Sequence, residues 1–433
     1  MSPSSSLSSV LDQLADLARW DAQLESEPVL MSSSLVGRLS QVPDRRKRCG
    51  LRHELVVILA LVACATLVVG NDSVTAIWQW CARTPQAVLE RLGARRDALR
   101  DRYLVPSERT FRRVLADLDA DALDGQTCAF AADVVCGAAP VPIIPETPGP
   151  AEREERRAAQ RQAEYPPPGS LLPAAAVDGK ALCGARRPDG GRVFLVGVIS
   201  HVTGVVLGQR QVPDKKGEGK VVPALLAPLD TAGMVFTLDA LHTTRKTARM
   251  ITKELHGHYV LILKGNQPLS REAAQTLLTG PDAEWEHTSA IQDDSGHGRT
   301  ERRSIRTAPT DDALFPGARQ VFRLRRDVGG GDGVWTSKEI VYGITSLPAT
   351  LAGPAHLNFY ERQHWTVENR LHWTRDVTFG EDASQVRTGT MPRVLASFRN
   401  LAINTFRLAR RANIAHARRD LHNHATVFAA FGI

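Results

Sequence analysis

The stretch "LLPAAAVDGKALCG", residues 171–184, decides how the chain is divided. Before it, "AAPVPIIPETPGP" and "YPPPGS" flank the charged run "AEREERRAAQRQAE", so residues 138–173 read as a Pro- and charge-rich linker. After it the texture alternates between α and β. "RVFLVGVIS" (192–200) and "GVVLGQRQVP" (204–213) read as strands about a tight turn at Thr203-Gly204. "VVPALLAPLD" (221–230) reads as a helix despite its prolines. "GMVFTLDA" (233–240) and "HYVLILKGNQ" (258–267) are buried strands, with the helical "TRKTARMITKELHG" between them. The expectation is a mixed α/β sheet covered on both faces. Asp178 then stands at the entrance to a second folded unit, although "VDGK" equally fits a turn before glycine.

Downstream, residues 285–350 alternate apolar and polar side chains about a Gly-rich turn and predict an antiparallel β insertion with a basic exposed face. Helices return at "LNFYERQHWTVENRLHWTRDV" and "PRVLASFRNLAINTFRLARRAN". Upstream, residues 1–40 are Ser-rich and weakly patterned, and residues 41–137 are helical. There the basic cluster Arg45, Arg46, Lys47 and Arg48 leads into "LVVILALVACATLVVG" (55–70). That run falls short of the roughly 20 residues a bilayer demands, so a buried core helix is expected and no membrane partner. In "VPSERTFRRVLADLDADAL", Ser107 is placed to cap a helix whose first turns carry Arg109, Arg112 and Arg113. Either basic group suits DNA phosphates, and either suits a solvated helix face.

The 433 residues hold 54 Lys and Arg against 47 Asp and Glu, a formal +7 that is compatible with a nucleic-acid partner without requiring one. Six scattered cysteines form no CxxC pair and no zinc-finger spacing, so they read as small buried hydrophobes in a reducing cytosol. The N-terminus carries acids where a secretory signal has a basic start and apolar core, so a cytoplasmic location is expected.

Three acids stand out by position. Asp178 follows a short apolar run, Asp239 closes the strand "VFTLD", and Glu368 lies mid-helix in "HWTVENRLHW". Side chains converge at strand ends in an α/β sheet, so two Asp from adjacent strands and a Glu from a helix across the sheet could gather into one cluster. Such a cluster needs cations, and hard oxygen ligands suit Mg²⁺ or Mn²⁺. Two ions would serve an in-line phosphoryl displacement. Duller readings exist: Asp239 as a helix cap, Glu368 as a surface residue paired with Arg362 or Arg375. Asp376, Glu381 and Asp382 compete for the third place.

"AVDGKALCGARRPDGGRVFLVGVISHVTGVVLGQRQV", "TLDALHTTRKTARMI", "HYVLILKGNQP", "GHGRTERRSIR" and "RQHWTVENRLHWTRDVTFGEDAS" together resemble the DDE transposases of bacterial insertion sequences, of the H-repeat-associated type. "VPDRRKRCGLRHELVVILALVACATLVVGNDSVTAIWQW" resembles the helical domain that accompanies that catalytic domain. The resemblance runs from about residue 42 to 410. It implies an RNase H-like core over residues 174–433, a carboxylate triad at Asp178, Asp239 and Glu368, and a β insertion between the second and third acids. It also implies two Mg²⁺ ions (Mn²⁺ substituting), nicking of transposon ends, attack of the 3′-hydroxyl on target DNA, and a homodimer in the synaptic complex. Related transposases carry a Tyr-Arg-Glu-Lys signature that grips phosphates. Here Tyr360 and Glu368 are available, His364 takes the arginine's place and Arg375 the lysine's, with Arg362 nearby. Lys180, Lys264, Asn266, Arg299, Arg302 and Arg303 complete the candidate DNA contacts, with His297 beside them on the insertion.

Overall fold

The computed structural model describes residues 33–47, 51–145, 166, 170–186, 191–212, 217–285, 288–296, 299–330, 334–411 and 413–433. Arg48, Cys49, His297, most of the Ser-rich N-terminal segment and most of the linker lie outside the described residues.

The first part is helical: α1 (Leu35–Ser40), α2 (Leu55–Leu67), α3 (Val74–Cys81) and α4 (Gln86–Arg91). A two-residue ribbon, β1 (Arg96–Asp97) with β2 (Arg102–Tyr103), leads to α5 (Glu108–Ala116) and α6 (Ala120–Val135). The apolar α2 is buried along nearly its whole length, as a core helix must be. No described helix is long and apolar enough to cross a membrane. The five described cysteines are free; Cys64 and Cys81 are buried, whereas Cys136 and Cys183 are exposed.

The second part opens with β3 (Ala174–Arg186), β4 (Arg192–Ser200) and β5 (Val206–Val212), paired antiparallel in series. Then come α7 (Glu218–Leu226), β6 (Val235–Leu238), α8 (Arg245–Arg249, prolonged by wider turns through Met250–Glu254), β7 (His258–Leu263) and α9 (Pro268–Leu277). β6 pairs parallel to both β3 and β7. The order β5-β4-β3-β6-β7, with three antiparallel strands followed by two parallel ones, is the RNase H-like arrangement. Asp178 and Gly179 do not turn the chain. They lie inside the 13-residue β3, opposite Gly197 and Val196. Pairing on both sides overrides the turn preference of Asp-Gly.

Residues 285–350 form four strands, β8 (Ser289–Gly296), β9 (Arg299–Pro309), β10 (Gln320–Gly330) and β11 (Trp335–Thr345). They do not stand apart. β11 pairs antiparallel with β7, so the described strands form one nine-stranded sheet, β5-β4-β3-β6-β7-β11-β10-β9-β8. Last come α10 (Pro354–His364, continued by two wider-turn stretches), α11 (Met391–Leu408), α12 (Ile414–Asp420) and α13 (His424–Ala429).

Alternation along β3 sends Ala175 and Val177 into a core with Val222, Ala248 and Ala274 from α7, α8 and α9. On the opposite face Ala176 joins Leu371 and Val394 in a core that continues through α2, α3, α5 and α6. The N-terminal helices and the sheet thus share one apolar core, with α6 packed on both α11 and β5.

Candidate active site

Val177 and Leu238 are the last partners in the parallel β3–β6 pair, so Asp178 and Asp239 follow side by side where that pairing stops, Asp239 just past the end of β6 and Asp178 partway along β3. Thr237, two residues before Asp239, faces α10 through a hydrogen bond to His364, and alternation gives Asp239 that same face. Above this face α10 passes into two stretches of i→i+5 winding, Val367–His372 and Thr374–Thr378. They carry Glu368 to Asp178. Opposite Asp178 stands Gly197, where a Cβ would lie 3.3 Å from Leu371 Cδ2, so a bare backbone lets the helix settle this close to the sheet.

Asp178, Glu368 and His372 each offer a ligand atom within 4.8 Å of the others. His372 Nδ1 lies 3.0 Å from Glu368 Oε2 and 3.8 Å from Asp178 Oδ2. Asp178 and Glu368 both line a cleft of about 690 Å³, together with Asp239, Lys264, Arg362, His364 and Arg370. Burial raises the Asp178 carboxyl above the usual range, and the Asp239 and Glu368 charges raise it further. The hydrogen bond from His372 lowers that of Glu368. Asp239 Oδ1 accepts the His242 N–H at 3.2 Å, so it caps the following 3₁₀ turn while also facing the cleft. This crowding of like charges, with oxygen donors and one imidazole, suits a hard divalent cation, which would neutralise what the protein leaves uncompensated.

Two of the three competing acids are otherwise engaged, and Asp382 is exposed. Asp376 accepts from Lys180 Nζ at 2.5 Å, and Glu381 is buried between Arg375 and Arg399. Arg375, expected beside Glu368, is 1% exposed and bonds Glu381 and Gln209. On an α-helix the seven-residue step from Glu368 to Arg375 makes nearly two whole turns. The wider winding makes fewer, so Arg375 swings into the core. Lys180 is held in its ion pair instead of facing the cleft mouth.

Other expected DNA contacts divide in the same way. Asn266 donates to the carbonyls of Ala240 and Thr243 at 2.7 and 3.1 Å, bracing the turn after Asp239. Arg303 is buried and donates to Asn358 and Glu361. Arg302 pairs with Asp293, Arg45 with Asp119, Arg46 with Asp44 and Arg112 with Glu108. Lys47, Arg109, Arg113, Lys264 and Arg299 are exposed. His364 meets Thr237 Oγ1 at 3.1 Å, and the same hydroxyl meets buried His201 Nε2 at 2.9 Å. Burial pushes His364 down to about 4 and His201 down to about 3.

Sequence reasoning passed over His372, although Glu-x-x-x-His is the i, i+4 spacing that stacks two side chains on one helical face. It also passed over Arg370, which lines the cleft and donates to the Val202 carbonyl, and the His201–Thr237 pair beneath it.

The family described as "Transposase DDE domain" matches residues 176–405, and the family described as "DDE_Tnp_1-associated" matches residues 36–131. The chain is 26% identical over 394 residues to "Putative transposase YncI" of Escherichia coli O157:H7, spanning 86% of this chain and 87% of that one. It is 27% identical over 279 residues to "H repeat-associated putative transposase YhhI" of Escherichia coli K12, spanning 60% of this chain and 72% of that one. Among solved structures it bears a loose likeness to a piggyBac transposase synaptic complex with hairpin DNA, at 12% identity and a TM-score of 0.39, over 93% of this chain and 78% of that one. With more than half its length inside the first of these matches, and with its first five sheet strands in an RNase H-like order, the chain belongs to the DDE transposase family.

Proposed function

We propose that this transposase nicks the ends of an insertion sequence and joins the freed 3′-hydroxyls to target DNA, with Asp178, Asp239 and Glu368 as its catalytic carboxylates. One observation carries the reading: the side-by-side placement of Asp178 and Asp239 where the β3–β6 pairing stops, with the Glu368 carboxylate brought against Asp178 in one cleft. These three residues would hold two divalent ions, Mg²⁺ or Mn²⁺. When bound, the ions supply activation of the attacking oxygen and stabilisation of the leaving one.

The chain's own part is orientation. The β3–β6 pairing fixes the two aspartates relative to each other, and the wider winding of residues 367–378 carries Glu368 to Asp178. Asn266 holds the turn that follows Asp239. Lys264 and Arg362, both lining the cleft, are placed to neutralise the phosphates that flank the scissile bond. Residues 41–137 form the part that recognises transposon ends, through Lys47, Arg109 and Arg113 on its exposed surface. Two copies hold the two ends together during strand transfer.

The test is nicking of a supercoiled plasmid bearing the element's ends. Asp178→Ala, Asp239→Ala and Glu368→Ala are each expected to abolish nicking while end binding in EDTA persists, because they remove ligands and leave phosphate contacts in place. A pre-cleaved oligonucleotide with a free 3′-hydroxyl should yield branched joint products; cleavage without joining would reduce the protein to a nuclease.

A further inference from the structure

His372 is not one of the three acids, yet the fold has spent a buried position on it. Its side chain is 5% exposed and its Nδ1 points into the carboxylates. Around an octahedral ion with bonds of about 2.1 Å, neighbouring ligand atoms stand ~3.0 Å apart and opposite ones ~4.2 Å. The separations of 3.0 Å from His372 Nδ1 to Glu368 Oε2 and 3.8 Å to Asp178 Oδ2 fall within that span. We propose that His372 is itself a metal ligand, its Nδ1 completing with Asp178 and Glu368 a mixed oxygen–nitrogen shell around one of the two ions.

Charge explains why a histidine stands here. Asp178, Asp239 and Glu368 already crowd three carboxyl groups, and a fourth would add to the repulsion that, after burial, raises the Asp178 carboxyl. A neutral imidazole adds a coordinating atom and no charge. It also changes which ion is preferred, since nitrogen donors favour transition metals over Mg²⁺. The wider helical winding matters too, because it keeps residues 368 and 372 over the sheet while turning Arg375 away.

This inference rests on the metal-site reading above, so the experiment separates the two. Full-length protein is loaded with Mn²⁺, and bound metal is followed by calorimetry and by pulsed electron paramagnetic resonance, which detects a nitrogen coordinated to manganese. Wild type grown with ¹⁵N-histidine should show the isotope-shifted coupling, a readout needing no substitution. His372→Gln should lose that coupling and weaken Mn²⁺ binding by about tenfold or more, with a smaller loss for Mg²⁺; His364→Gln should keep the coupling. Failure of Mn²⁺ to bind, or binding indifferent to Asp178→Asn, would overturn the metal site and this inference with it. Binding that Asp178→Asn abolishes, with no nitrogen coupling in wild type or with coupling that survives His372→Gln, would overturn the ligand role of His372 alone.

Discussion

Single residues in this protein carry opposing demands of stability and chemistry. Asp178 is held above its ordinary pKa chiefly by burial, so in the metal-free fold its charge is a cost; Asp178→Asn, in which the amide oxygen can still accept the Gly179 N–H, should raise the Tm in EDTA by about 1–2 °C. Scanning calorimetry on the variant that has lost nicking checks this. His201 shows the reverse sign. Its folded pKa is lowered to about 3 from 6.5, so the unfolded chain binds a proton that the folded one refuses. Stability from this residue is full above pH ~6.5 and is lost as pH falls towards 3, at about 1.4 kcal/mol per pH unit. Urea unfolding between pH 6 and 4.5 should therefore steepen with acid in wild type, and His201→Gln should flatten the slope by one proton. The sequence singled out Asp178, Asp239 and Glu368 together, because a family motif falls on all three and apolar runs precede the two aspartates. It hid His201 and His372, because a lone histidine carries no sign of what will be packed against it.

At the scale of elements, the buried strands β4, β6 and β7 were readable from apolar runs of the right length, and β11, β10, β9 and β8 from alternation. β3 was only half readable, as a strand carrying Asp178 or equally as a turn there: alanine, glycine and an Asp-Gly pair are poor strand formers in isolation, and pairing with β4 and β6 holds them extended. Nor was the i→i+5 winding of residues 367–378 visible, because hydrophobic spacing reports a helix and not its pitch. That is why Arg375 was expected at the site and is found in the core. The close approach at Gly197 gives a measurable consequence. A methyl there would sit 3.3 Å from Leu371 Cδ2 and lift the segment bearing Glu368 and His372 by a few tenths of an ångström. Gly197→Ala should cut the nicking rate about 10- to 100-fold, as sub-ångström misplacement of reacting groups does, while circular dichroism and DNA binding stay near wild type.

For the whole molecule, the question is whether the helical part and the sheet can live apart. A buried polar chain ties them: Asp124 of α6 accepts from Arg393 of α11 at 3.0 Å and from Gln209 of β5 at 3.5 Å, while Gln209 also receives Arg375 and Asn400. Removing Asp124 leaves the buried Arg393 with Asp121 as its remaining acid and Gln209 without that acceptor, so Asp124→Ala should cost about 1–3 kcal/mol, read as a lower urea midpoint for sheet and helices together. Calorimetry should find one transition for both parts, and a fragment starting at residue 174 should aggregate, since it bares the face of α11 that α2 and α6 cover. Composition located the proline-dense connection between the two parts, yet it carries no information about which surfaces close on each other afterwards.

On the proposed function, the unbroken sheet would also act as a measuring rod. From β6, which ends at Asp239, to the outermost strand β8 there are five strand spacings. At ~4.8 Å each these make ~24 Å, roughly the rise of seven base pairs. A duplex lying across the strands would thus meet the outer edge a fixed number of steps from the bond to be cut. That interval is written in hydrogen bonds and cannot be lengthened without adding or losing a strand.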